Sequence, residues 1–92
     1  MAKVLVKVYT TLKERLGTCK LLLEADTAAD VIAQVVKAKE PEIAPVLLDE
    51  KGIVKNHFVL TLNSKILDHA EVARVKMSDG DIFHIFPPVS GG

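Results

Sequence analysis

The stretch K-V-L-V-K-V-Y, residues 3–9, decides the fold. It alternates at period two: Val4, Val6 and Val8 face one way, and Lys3, Leu5, Lys7 and Tyr9 the other. Side chains along a strand point to opposite faces in turn, so this pattern predicts a half-buried strand. At the other end of the chain, I-F-H-I-F (82–86) repeats the pattern. Phe83 and Ile85 are assigned to the core, and Ile82, His84 and Phe86 to the opposite face.

Outward from the first strand, T-T-L-K-E-R-L-G (10–17) sets Leu12 and Leu16 four apart and closes on Gly17, which predicts one short helical turn with a glycine cap. C-K-L-L-L-E-A (19–25) reads as a second strand with Lys20 and Glu24 on its wet face. The same parity places Cys19 beside Leu21 and Leu23 on the inward face, as a buried structural thiol. Residues 25–41 carry the main helix. Thr27 is its N-cap, with Asp30 three residues on, and Ala28, Val31, Ile32, Val35 and Ala38 form its apolar stripe. Lys37 and Lys39 complement the dipole in the last turn, and Pro41 ends the helix.

P-E-I-A-P-V-L-L (41–48) reads as irregular helical turns with Ile43, Val46 and Leu47 tucked inward, and D-E-K-G (49–52) as a polar turn. H-F-V-L-T-L (57–62) is a strand, N-S-K (63–65) a tight turn, and I-L (66–67) a brief return strand. Residues 69–77 are ambiguous between a short turn and an irregular connection, with Ala73 and Val75 assigned to the interior. S-D-G-D (78–81) is a turn leading into the final strand.

The order is β-β-α, a long irregular excursion, then β-β-β. Two opening strands form a hairpin, one helix crosses one face, and the last strand returns to the centre of a mixed sheet. The expected class is α+β, a β-grasp (ubiquitin-like) arrangement with a four- to five-stranded sheet packed on one main helix. Residues 1–86 form that domain, and residues 87–92 an extended, flexible C-terminal tail.

Composition narrows the function. A chain of 92 residues suits one core, with no room for a second domain or a large enclosed catalytic cavity. Twelve basic residues balance twelve acidic ones, so no net field draws the protein to nucleic acid or membrane. No run reaches the ~20 apolar residues a membrane span needs, and no secretory signal opens the chain. One cysteine excludes an internal disulfide framework and a plant-type iron–sulfur cluster, and it fits a reducing cytoplasm. His57, His69 and His84 show no metal-ligand spacing, so no metal is expected. Glu40 and Glu42 bracket Pro41 as solvated caps, and no catalytic constellation is present.

The strand order, the S-D-G-D turn, the strand I-F-H-I-F and the terminus P-P-V-S-G-G together resemble the ubiquitin-like sulfur carriers. The ending is most similar to the small subunit of molybdopterin synthase, the MoaD type of the MoaD/ThiS superfamily. The likeness runs residue by residue through Phe86, Pro87, Pro88, Val89, Ser90, Gly91 and Gly92. Y-T-T-L-K-E-R-L-G and D-T-A-A-D-V also match the family's pattern. The segments L-L-D-E-K-G-I-V-K-N-H and L-D-H-A-E-V-A-R-V-K-M look longer than in compact members, so the interior is less diagnostic than the tail.

The resemblance implies a chemistry for the tail. A partner adenylyltransferase of the MoeB type uses ATP to form an acyl-adenylate on Gly92, and sulfur then replaces AMP to give a thiocarboxylate. A MoaE-type large subunit receives that sulfur for molybdopterin synthesis. The chain itself binds no cofactor and is not a catalyst alone. Thiazole, cysteine or tRNA thiolation, or attachment to protein lysines, stay open as alternatives, and a non-covalent adaptor is the alternative of another class.

Elementary chemistry agrees with such a role. A terminal carboxylate is ionised at neutral pH and a poor electrophile, so it reacts only after activation. Gly91 and Gly92 lack Cβ and can enter a narrow channel, while Pro87 and Pro88 end the strand and hold the exit extended. From Pro88 to Gly92 the chain spans roughly 17 Å at ~3.3–3.6 Å per residue. Leu5, Val59, Thr61, Ile82, His84 and Phe86 are assigned to one exposed sheet face, a candidate docking patch. In the resembled family that face docks both the activating enzyme and the synthase large subunit.

Overall fold

The computed structural model describes residues 2–56 and 58–87. Strand β1 (Ala2–Val8) leads into helix α1 (Thr10–Leu16), strand β2 (Lys20–Ala25), the main helix α2 (Ala28–Ala38) and a single turn α3 (Ala44–Leu47). Strands β3 (Val59–Leu62) and β4 (Lys65–Leu67) follow, then a 3-10 turn at His69–Glu71 and the last strand β5 (Asp81–Phe86). The five strands form one sheet in the order β2-β1-β5-β3-β4. β5 runs parallel to β1 and antiparallel to β3, so the sheet is mixed and its final strand is central. This is the β-grasp arrangement expected from the order of elements.

One face of the sheet supplies the core. Val4, Val6 and Val8 of β1 and Phe83 and Ile85 of β5 are fully buried against Val31 and Val35 of α2. α2 starts where its chemistry allows: the Thr27 hydroxyl accepts from the Asp30 backbone N–H at 3.2 Å. The Asp30 carboxylate reaches back to the Asp26 N–H, one residue before the N-cap, so the reciprocal bond of a capping box is displaced by one position. α1 ends on Gly17, whose φ of 77° closes the helix through a bond to the Lys13 carbonyl.

Several residues depart from the pattern-based assignment. Cys19 is exposed. β2 begins at Lys20, and Cys19 lies in the preceding bend, where strand parity no longer governs its side chain. Ala38 is exposed because α2 ends there. Ala73 is exposed too, and Met77 takes the buried place in that segment. The reason is a bridge between Thr27 and Lys76, with the Met77 N–H bonded to the Asp26 carbonyl, which draws the chain under the start of α2. β3 is shorter than expected and begins at Val59, though Phe58 just before it is buried.

Candidate functional site

The outer face of the sheet has no helix over it, and strand register sorts its side chains into rows. At the end where β5 finishes, the row reads Tyr9, Phe86 and Val59, with Phe86 paired to Val59 across β3. The next row reads Lys20, Lys7, His84, Thr61 and Ile66. The third reads Leu22, Leu5 and Ile82, and the fourth Glu24 and Lys3. All six residues assigned from sequence to a docking patch therefore share this face.

Thr61 differs from that assignment in one respect: it is only 7% exposed. His84 and Ile66 lie opposite it on the two neighbouring strands. Its Oγ1 has no hydrogen-bond partner among the described residues. Besides the charged residues, three apolar or aromatic ones belong to the face that the sequence reading did not assign to the patch. Leu22 is 76% exposed and Ile66 72% exposed, the most open large apolar groups on the sheet. Tyr9 is the third.

Tyr9, His84 and Phe86 form an aromatic cluster of nearly parallel rings. The Tyr9 and Phe86 centroids are 4.9 Å apart with planes 8° from parallel, and those of His84 and Phe86 are 5.2 Å apart at 4°. The Tyr9 hydroxyl lies 2.8 Å from Nδ1 of His84. Burial pushes the His84 imidazole below its ordinary pKa of 6.5, and the neighbouring Lys7 ammonium pushes it the same way. Near neutral pH the imidazole is therefore uncharged, and its Nδ1 shares a hydrogen bond with the Tyr9 hydroxyl.

The cluster stands at the point where the chain leaves the sheet. Phe86 ends β5 and Pro87 follows it, half-buried, with no strand pairing of its own. The remaining residues singled out from sequence, Pro88, Val89, Ser90, Gly91 and Gly92, lie outside the described residues, as does His57.

A second concavity lies on the other side of the molecule, a groove of about 800 Å³ between α2 and the segments 48–56 and 68–73. Ile32, Val36, Ile53 and Val72 line it, and His69 adds a buried Nε2 with no partner among the described residues. It lies on the α2 side of the sheet, whereas the aromatic cluster lies on the outer face. No helix among the described residues is long and apolar enough to cross a membrane.

A mixed sheet gripping one helix is the architecture of the ubiquitin-like class of small β-grasp proteins. The chain belongs to the ThiS family, which it matches over residues 6–92. It is 29% identical over 89 residues to small archaeal modifier protein 3 of Haloferax volcanii, covering 95% of this chain and 96% of that one. Small archaeal modifier protein 1 of Methanosarcina acetivorans superposes with a TM-score of 0.83 at 32% identity, covering 100% of this chain and 98% of that one. A Pyrococcus furiosus protein assigned as molybdopterin converting factor subunit 1 superposes with a TM-score of 0.70, covering 97% and 100%; at 21% identity it speaks for the fold alone. The chain is thus one of the ubiquitin-like sulfur carriers and modifiers.

Proposed function

We propose that the chain works through its C-terminal carboxylate, which a partner adenylyltransferase activates with ATP. The carboxylate oxygen of Gly92 attacks the α-phosphorus, pyrophosphate leaves, and an acyl-adenylate forms. A sulfide equivalent then attacks the carbonyl carbon. The C–S bond forms, the C–O bond to AMP breaks, and AMP departs with the bonding pair. The product is a thiocarboxylate, whose sulfur is nucleophilic and stays attached to the carrier.

The observation that carries this reading is the reach of the family match, which extends to residue 92 and so includes P-P-V-S-G-G. The face described above supports it. A largely apolar, helix-free surface beside the tail exit would let a partner hold the domain while residues 87–92 enter its active site. Pro87, Pro88, Val89, Ser90 and Gly91 act as the thread and Gly92 as the reacting end. Leu5, Val59, Ile82, His84 and Phe86 form the docking surface, with Thr61 buried within it. The sulfur acceptor in this reading is a pterin precursor held by a molybdopterin-synthase large subunit.

A second reading keeps the activation and changes the acceptor to the amine of a protein lysine. It is favoured by the relatives at 29% and 32% identity, both of which are modifiers by name. Intact mass after incubation with the adenylyltransferase, ATP and a sulfur donor tests the shared step. An oxygen-to-sulfur increase that vanishes when Gly92 is deleted is expected; an unchanged mass with competent enzyme would leave only non-covalent docking. Addition of the large subunit and pterin precursor, or of cell extract, then separates sulfur transfer from lysine attachment.

A further inference from the structure

Formal charge over the chain sums to zero, which hides an uneven arrangement on the outer sheet face. Strands rise about 3.3 Å per residue, so successive rows lie about 7 Å apart along them. The row next to the aromatic cluster places Lys20 directly opposite Lys7, and Lys7 directly opposite His84. It continues through Thr61 to Ile66 and contains no carboxylate. Like charges directly opposite one another destabilise a sheet. Two rows away, Lys3 has an ordinary complementary partner in Glu24.

Asp79, in the turn before β5, accepts from the Lys3 backbone N–H, and Asp81 accepts from the Asn63 side chain and the Ser78 N–H, so the remaining carboxylates near this end are held in the turns. Charge on the outer face is therefore uneven along its strands: cationic in the row beside the aromatic cluster, balanced in the row at the opposite end. A uniformly apolar docking surface would not need this polarity, and the fold bears an unfavourable lysine pair to keep it.

We propose that the enzyme engaging the tail presents a carboxylate-bearing rim to Lys7 and Lys20, next to the channel that takes the tail. This rests on reading the outer sheet face as a docking surface, and it names the chemistry of the partner. Carboxylates from the partner relieve the repulsion between the lysines and orient the domain so that β5 points into the active site. His84 is held neutral in this row, so its imidazole packs with Phe86 and leaves the cationic role to the lysines. Such complementarity acts chiefly on the rate of encounter and falls with ionic strength.

The test measures association of the full chain with its own organism's adenylyltransferase across a salt series. The on-rate of the unaltered chain is expected to fall as salt rises. The double variant Lys7→Glu, Lys20→Glu is expected to associate about tenfold more slowly or worse at low salt, with that salt dependence lost. Lys7→Gln with Lys20→Gln should give an intermediate effect, and the folded state of each variant is checked by its NMR spectrum. Phe86→Ala runs in parallel as the control for the docking reading itself. Weaker binding by Phe86→Ala with unchanged rates for both lysine pairs would overturn the acidic rim and keep the docking face. Unchanged binding by all three would overturn the docking face. Self-association of the chain that the lysine changes abolish, with enzyme binding untouched, would overturn the rim in favour of a second copy as occupant.

Discussion

The Tyr9 hydroxyl and Nδ1 of His84 lie 2.8 Å apart, joining the end of β1 to the middle of β5 although the residues are 75 positions apart in sequence. The neutral form of the His84 imidazole is favoured by its partial burial and by the Lys7 ammonium beside it. Titration by NMR should therefore give His84 a pKa below 6.5, and Lys7→Gln should raise it toward that value. The folded state binds fewer protons at His84 than the unfolded chain does as pH falls through this region. Stability from this group is thus complete above the unfolded value and is lost as pH drops through the folded one. Denaturation midpoints that rise toward acid pH would contradict the assignment.

Phe83 and Phe86 are three residues apart on one strand and face opposite ways. Phe83 is fully buried, while Phe86 stacks on Tyr9 at the open face. Phe83→Ala should cost about 3–5 kcal/mol, a large share of a small domain's stability. Phe86→Ala should leave the fold largely intact and weaken binding to the activating enzyme. Chemical denaturation alongside a binding titration checks both. Global unfolding of the Phe86 variant would mean that its ring, and not only that of Phe83, holds the sheet together.

These two residues also mark what the sequence could disclose. Period-two alternation depends on local geometry alone, so Val4, Val6, Val8, Phe83 and Ile85 were readable as core, and the partner strands followed from element order. Leu22 was readable in principle, since Lys20 and Glu24 flank it at the same parity, but the run of three leucines blurred the alternation. Tyr9 was placed on the correct side of β1, yet its contact with Phe86 depends on the parallel register of β1 and β5, which no local pattern encodes. Cys19, Ala38 and Ala73 were misplaced, and Met77 was not assigned, where strand or helix periodicity stops and long-range bridges take over. Thr61 was assigned to the correct face, and only its neighbours on the flanking strands determine how deeply it is covered.

Asn63 and Ser64 join β3 to β4 with φ of 49° and 76°, the left-handed pair that a two-residue hairpin demands. Asparagine tolerates that region, but serine does so poorly, and Asn-Gly is the sequence that fits it best. Ser64→Gly should therefore stabilise the protein by up to about 1 kcal/mol, since the left-handed penalty of roughly 1–2 kcal/mol is partly offset by the entropy of a freer unfolded chain. Urea denaturation reads the change as a higher midpoint at constant slope. A lower midpoint would show that the Ser64 side chain contributes more than its backbone conformation costs.

Thr61 offers the sharpest test of the outer face as a packed surface. Its hydroxyl is buried with no partner among the described residues, and a buried polar group without a hydrogen bond costs about 1–3 kcal/mol. Valine has nearly the same shape, is equally suited to a strand, and puts a methyl where the hydroxyl was. Thr61→Val should raise stability by about 1 kcal/mol, which for a domain of this size moves the melting temperature by about 4–8 °C. Differential scanning calorimetry measures it directly. A loss of stability would reveal that the hydroxyl is satisfied in solution, by water or by the His84 ring. The same variant leaves Lys7, Lys20, Tyr9 and Phe86 in place, so its affinity for the activating enzyme should be unchanged. A stabilised variant that bound more weakly would instead place the Thr61 hydroxyl in the interface, donating to a group that only the partner supplies.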